Sequence, residues 1–270
     1  MHASIKNLGE IQSPLITIIT VVKDGKDVIQ ETMSSVFSQE YKNIEYIVVD
    51  GRSTDGTFEI IHRNKDKIDL LICEDDDGIY SAMNKGINAA NGLFTGFLNA
   101  SDLLYPDAIL NLVDGFNQND FDFSLGPAQI EDLKTGHITI SKPLTSFSIK
   151  GGQYTGMPSP HLAIYMKTKL IKELGMFDTK FKLSADYDLM LRAVSADYKP
   201  WYFNKPVGVF RLGGVSGSFK TQIENFSILK RYKIPLYKLI SIIGRSILAL
   251  TVKKILTERI FNRFKSYLIK

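Results

Sequence analysis

Four short apolar runs constrain the fold of this chain more than any other feature: Leu15 to Val22 (LITIITVV), Ile44 to Val49 (IEYIVV), Ile68 to Cys73 and Leu93 to Leu98. The first two are rich in β-branched residues, the pattern of strands buried on both faces. Between the runs, apolar residues recur every three or four positions, as in Val28, Ile29, Met33, Val36 and Phe37, and again in Ile79, Ala82, Met83, Ile87 and Ala90. That spacing marks one face of a helix. Strands alternating with helices predict a βαβ series and a mostly parallel sheet. Right-handed crossovers bring the strand ends at Val22, Asp50, Cys73 and Asn99 to one edge. Open α/β sheets bind their ligands there.

Several acids stand at that edge. Asp50 ends the second run and is followed by Gly51-Arg52-Ser53-Thr54-Asp55-Gly56. These residues suit a ligand loop, and they equally suit a turn that caps the next helix. Glu74-Asp75-Asp76-Asp77 precede a helix starting near Gly78, where negative charge is favourable; a solvated run is the plainer reading. The fourth run stops at Asn99-Ala100-Ser101-Asp102, and Asp102 is the first candidate for chemistry. Mg²⁺ and Mn²⁺ favour carboxylate oxygens with substrate phosphates, so one carboxylate and a diphosphate suffice for a site.

The pattern changes after Pro106. Short strands are predicted over Phe121 to Ile130 and His137 to Ser141, then at His161 to Met166 and Trp201 to Arg211. A helix over Lys169 to Leu174 ends at Gly175, a usual C-cap. Another runs from Ala185 to Val194, with Ser184-Ala185-Asp186 at its start. A helix N-terminus predicts a depressed pKa for Asp186. Ionised, it can take the proton of an attacking hydroxyl. His161 is a lone histidine with a structural reading as well as a site reading.

Other chemistries find no support. No G-x-G-x-x-G follows the first strand and no G-x-x-x-x-G-K-[ST] occurs, which disfavours dinucleotide and P-loop binding. His2, His62 and His137 have no partners at zinc-ligand spacing. No G-x-S-x-G or Cys-His arrangement points to a covalent hydrolase. The net charge of +4 over 270 residues is too weak a basis for nucleic-acid binding. Cys73 is the single cysteine, which excludes an internal disulfide and fits a reducing cytosolic compartment. It is expected to be a buried strand residue.

Taken together, TIITVVKDG, IEYIVVDGRSTDGT, DDDGIYSAMNKGI, GLFTGFLNASDLLYP, LGMFDTKFKLSADYDLMLRA and FRLGGVS resemble the family 2 glycosyltransferases. The likeness runs from about Pro14 to Gly217, nearest to bacterial enzymes that build exopolysaccharide, O-antigen or capsule. It implies an α/β GT-A nucleotide-diphospho-sugar fold, a mostly parallel central sheet flanked by helices with a C-terminal helical tail. A GT-A domain would span 1–220, its nucleotide-binding half about 14–105 and its acceptor half about 106–220. Thr20, Val21 and Val22 would line the nucleotide pocket, Asp50 would bind the base, and Arg52 and Ser53 lie in the same loop. Asp76 or Asp77, with Lys85, would border the uracil, ribose and diphosphate. Asp102 matches the last aspartate of the metal-binding D-x-D motif, with Mg²⁺ or Mn²⁺ implied, and Ser101 adjoins it on the nucleotide side. Asp186 matches the catalytic base. Arg211 and Gly213-Gly214 fall in a flexible segment that closes over the diphosphate, and His161 matches a histidine on the acceptor side. The resemblance implies inverting transfer from a nucleotide sugar, a UDP-sugar by default, to a saccharide or lipid-linked saccharide. Ala100, Ser101, Ser81 and Ala185 depart from positions often acidic in the family, which keeps a non-catalytic sugar-nucleotide-binding protein as an alternative. A nucleotidyltransferase is a poorer match, because TVVKDGKD lacks a Gly-rich basic loop.

The tail, 221–270, carries the excess positive charge. Lys238, Arg245, Lys253, Lys254, Arg259, Arg263, Lys265 and Lys270 face Glu258 alone from Lys238 onward. Ile240, Ile243, Ile247, Leu250, Leu256, Ile260, Phe264 and Leu268 recur mostly at helical spacing among them. A basic amphipathic helix predicts peripheral membrane contact, here at the inner face of the cell membrane; packing on the domain or an oligomer interface is the other reading. No segment reaches the ~18 uncharged apolar residues of a membrane span. The start, MHASIKNLGEIQS, lacks the layout of a signal peptide.

Overall fold

A computed structural model of the chain describes residues 12–145, 156–212, 219–232, 234 and 237. The leader, the loop at Gly151-Gly152, the Gly213-Gly214 segment and the tail from Lys238 onward lie outside the described residues. The chain forms two compact units, 1–214 and 215–270. In the second unit, one helix spans Phe219–Lys230.

The first unit opens with four strand–helix alternations. They are β1 (Ile16–Val22), α1 (Ile29–Phe37), β2 (Ile44–Asp50), α2 (Thr57–Arg63), β3 (Leu70–Cys73), α3 (Ile79–Ala89), β4 (Phe94–Phe97), β5 (Leu103–Leu104) and α4 (Ala108–Gln118). There follow β6 (Phe123–Leu125), β7 (Gln129–Asp132), β8 (His137–Ile140), β9 (Tyr165–Lys167), α5 (Thr168–Glu173), α6 (Ala185–Ser195), β10 (Pro200–Tyr202) and β11 (Gly208–Leu212). The central sheet has seven strands in the order β10-β6-β9-β4-β1-β2-β3. Its pairs are parallel except at β9, which runs antiparallel to β4 and β6. A second sheet has the order β5-β11-β7-β8.

Burial explains the first half. Every residue of β1 is buried, and α1 turns Ile29, Met33 and Val36 onto the sheet. Gly96 of β4 pairs with Tyr165 of β9, and a β-carbon there would run into the tyrosine ring. The close approach requires glycine.

The second half departs from expectation in three places. Phe121 to Ile130 divides into β6 and β7, which belong to different sheets, and Trp201 to Arg211 divides likewise into β10 and β11. His161 opens a turn of 3₁₀ helix, His161–Ala163, before β9 begins. The two sheet changes fall at Gly126-Pro127 and at Asn204-Lys205-Pro206, turn residues that end one strand and let the chain enter the other sheet. Cys73 is exposed, not buried. It ends β3, the edge strand of the sheet, where one flank has no neighbouring strand.

Candidate active site

Three strand ends line up at one edge. The parallel register sets Val22 beside Asp50 and Asp50 beside Cys73. Asp50 is fully buried and accepts hydrogen bonds from the Ser53 hydroxyl (2.5 Å), the Ser53 N–H (3.2 Å) and the Cys73 thiol (3.4 Å). Burial and the neighbouring Asp50 carboxylate push the Cys73 thiol pKa up. The next loop is fastened to the β1–α1 loop. Asp24 N–H donates to Ser53 Oγ (2.8 Å), Thr54 N–H to Asp24 Oδ1 (2.8 Å) and Gly25 N–H to Thr57 Oγ1 (2.8 Å). Asp55 Oδ1 accepts from Thr57 N–H at 3.0 Å, a turn ahead of α2, whose N-cap position is Gly56 with no side-chain cap bond. Arg52 projects outward with φ 55° and pairs with Asp75 at 3.2 Å, both side chains exposed.

The acidic run closes over this loop. Asp76 Oδ1 accepts from Gly78 N–H at 2.9 Å, while its Oδ2 approaches so near to Gly51 that a β-carbon there would collide with it. Lys85 pairs with Glu74 (3.3 Å) and donates to the Asp75 carbonyl (2.5 Å). The Asp77 carbonyl accepts from Lys182 Nζ at 3.0 Å. Val21 and Val22 are buried in β1. Thr20 faces the core instead, its hydroxyl accepting from Tyr46 OH at 3.0 Å, so it lines no open pocket.

Asp102 follows a strained turn. Ser101 has φ 102°, a conformation that side chains rarely adopt. Thr32 of α1 holds the turn from below: its Oγ accepts from Ser101 N–H and donates to the Asp102 carbonyl, both at 3.0 Å. The Asp102 carboxylate is buried, at 3% side-chain exposure. Its Oδ1 accepts from Arg211 N–H at 3.0 Å, and its Oδ2 lies 3.2 Å from His161 Nε2. The latter contact is not aligned as a hydrogen bond, and His161 Nε2 is buried without a partner.

Arg211 lies in β11, paired to β7, within the stretch predicted as a strand. Its guanidinium is occupied by Glu31 (2.7 Å) and Glu131 (3.5 Å), which hold its pKa up.

Asp186 stands in the first turn of α6. Its Oδ1 accepts from the Tyr80 hydroxyl and from Tyr187 N–H, each at 2.9 Å. Burial is the largest influence on this carboxyl and raises its pKa, opposed by the Tyr80 and Tyr187 bonds and by His161. The depression expected from a helix N-terminus is therefore reversed: desolvation by the surrounding protein outweighs the helix end. Nor does Ser184 cap the helix, since its Oγ is buried without a partner. Asp186 and His161 both line a mostly apolar cavity of about 70 Å³, bounded also by Tyr80, Phe97, Asn99 and Phe177. Asn99 Oδ1, too, is buried there without a hydrogen bond. Thus His161 touches Asp102 and shares the cavity with Asp186, joining two carboxylates far apart in sequence.

Four residues have supporting roles that the sequence reading did not assign: Tyr80, Thr32, and the Asp188–Arg192 pair. Arg192 bonds Asp188 at 2.8 Å and the carbonyls of Leu174 (2.5 Å) and Met176 (2.7 Å), fastening α6 to the Gly175 turn. The i,i+4 spacing of Asp188 and Arg192 was a readable signal. Among the described residues no group of three or more His, Cys, Asp or Glu is gathered as a metal cage.

The family model described as glycosyl transferase family 2 matches residues 17–173. An uncharacterized glycosyltransferase of Rickettsia typhi is 32% identical over 188 residues, 67% of this chain and 58% of its own length. The chain thus spans under two thirds of that relative. An Escherichia coli protein named UDP-Glc:alpha-D-GlcNAc-diphosphoundecaprenol beta-1,3-glucosyltransferase is 29% identical over 225 residues, 80% of this chain and 86% of its own. Among solved structures, S. aureus TarS with UDP-GlcNAc superposes at a TM-score of 0.65 with 16% identity, covering 86% of this chain and 71% of that one. A Pyrobaculum calidifontis mannosyltransferase with GDP-Man and Mn²⁺ superposes at 0.61 with 17% identity, covering 88% and 75%. These structural likenesses establish the GT-A fold. On the family match and the sequence identity together, the chain belongs to glycosyl transferase family 2.

Proposed function

We propose that the protein is an inverting glycosyltransferase. It moves a sugar from a nucleoside-diphospho-sugar, by default a UDP-sugar, to a hydroxyl of a saccharide carried on a lipid, in surface polysaccharide synthesis. One observation carries the reading: a desolvated carboxylate, Asp186, is held by Tyr80 at a cavity whose wall includes His161, itself against Asp102.

In this reading Asp186 takes the proton of the acceptor hydroxyl as that oxygen attacks the anomeric carbon. A raised pKa brings a carboxylate nearer the operating pH, which favours a general base. The Asp50 loop, with Asp76 and Lys85, borders the base, ribose and diphosphate. Asp102 would hold the divalent cation; its side chain is nearly buried and its Oδ2 accepts no hydrogen bond among the described residues, which fits an oxygen-seeking ion. Bound Mg²⁺ or Mn²⁺ would neutralise charge on the departing nucleoside diphosphate. Arg211 keeps Asp102 in place through its backbone N–H.

The lipid-linked acceptor is supported by the E. coli relative, whose name gives a diphosphoundecaprenol-linked substrate. The basic tail would dock on the inner membrane face, drawn by anionic lipid. No helix among the described residues is long and apolar enough to cross a membrane. The test incubates the full chain with labelled UDP-sugars and diphosphoundecaprenol-linked N-acetylglucosamine, with and without EDTA. Transfer that needs metal and is lost in Asp186→Asn supports the proposal. Nucleotide-sugar binding with no transfer to any lipid-linked saccharide would leave a sugar-nucleotide-binding protein instead.

A further inference from the structure

We infer that His161 Nε2 is the second protein ligand of the divalent cation, beside Asp102 Oδ2, and that it tilts the site from Mg²⁺ towards Mn²⁺. The inference rests on the metal-dependent reading above. It changes the part played by His161 from acceptor contact to metal ligand.

Two donor atoms stand side by side without bonding to each other. His161 Nε2 and Asp102 Oδ2 are 3.2 Å apart, yet no hydrogen bond joins them. An ordinary histidine–aspartate pair would turn its N–H onto the oxygen. Two ligands bound cis on one octahedral ion at about 2.1 Å stand about 3 Å apart without pointing at each other. A buried nitrogen with no protein partner calls for an ion or water beside it. The ring is also held: His161 sits in a single 3₁₀ turn, with Phe210 edge-on at 5.4 Å.

Sequence and chemistry agree. Ala100 and Ser101 supply no carboxylate next to Asp102, which leaves coordination positions open to another donor such as His161 Nε2. An imidazole nitrogen binds Mn²⁺ better than Mg²⁺, which prefers oxygen throughout. Phosphate oxygens of the donor would complete the coordination.

Pulsed electron paramagnetic resonance of the full chain with Mn²⁺, alone and with UDP or GDP, reads the ligand directly. The expected result is a histidine ¹⁴N coupling on the bound Mn²⁺, lost in His161→Gln with Mn²⁺ affinity at least tenfold weaker. His161→Asp, an all-oxygen site, should shift the Mn²⁺ to Mg²⁺ affinity ratio at least tenfold towards Mg²⁺. Bound Mn²⁺ showing only phosphate and water couplings in the wild type would overturn the inference and spare the metal-dependent reading. A nitrogen coupling that persists in His161→Gln would also overturn it. No Mn²⁺ bound with either nucleotide would overturn both.

Discussion

The Tyr80 hydroxyl donates a 2.9 Å hydrogen bond to Asp186 Oδ1, tying the first turn of α3 to the first turn of α6 across 106 residues of chain. The bond favours the ionised carboxylate against the burial that opposes it. Without it, Asp186 would hold its proton to higher pH. Tyr80→Phe should therefore move the acidic limb of the kcat/KM profile upward in pH, with little loss on the alkaline side. A hydrogen bond to a charged group contributes about 1.5 kcal/mol, so kcat/KM on the acidic side should fall about tenfold. An unmoved limb would separate Tyr80 from the base.

The same carboxyl makes a stability prediction. Its folded pKa is raised, so the stability it contributes at low pH is lost as pH climbs through the folded value. Asp186→Asn carries no such charge. The variant should melt about 2 °C or more above wild type at neutral pH, and the difference should vanish on acidification below the ordinary carboxylate range. Transfer should drop by about 10²–10⁴. Calorimetry across pH, paired with a transfer assay, checks both halves.

Arg211 should prove structural. Its side chain joins Glu31 of α1 to Glu131 of β7, while only its backbone reaches Asp102. Arg211→Met should lower stability by about 1 kcal/mol, because the arginine is mostly buried but Glu31 is exposed and screened. UDP affinity measured by calorimetry should change less than about threefold, a factor worth well under 1 kcal/mol. A larger loss would return the guanidinium to the diphosphate.

Gly51→Ala separates binding from folding. The new β-carbon meets the end of the Asp76 side chain, which can swing away. The melting temperature should hardly move, because the atom in the way is a side-chain end rather than backbone, while UDP affinity falls if Asp76 borders the nucleotide. Unchanged affinity would take Asp76 out of the site.

Gly96→Ala should do the reverse. Its β-carbon would press into the Tyr165 ring in the sheet interior. Overpacking of this kind costs about 1–3 kcal/mol, read in urea unfolding.

The sequence by itself determined the first half of the molecule. Alternating β-branched runs and helical faces have one solution, a βαβ series, and parallel register then carries Val22, Asp50 and Cys73 to one edge. Local pattern suffices there because each element buries its own face against its sequence neighbour. Tertiary structure decided the rest. Asp186 looked like a helix-start acid, but burial raised its pKa against the Tyr80 bond and the His161 charge that lower it. Arg211 was matched to a segment closing over the diphosphate, and only the fold brought Glu131 of β7 and Glu31 of α1 onto its guanidinium. His161 looked like a lone histidine, and only the fold set its ring against Asp102. Desolvation and charge pairing depend on what surrounds a group in space, and neighbours in space are drawn here from segments that no local spacing connects.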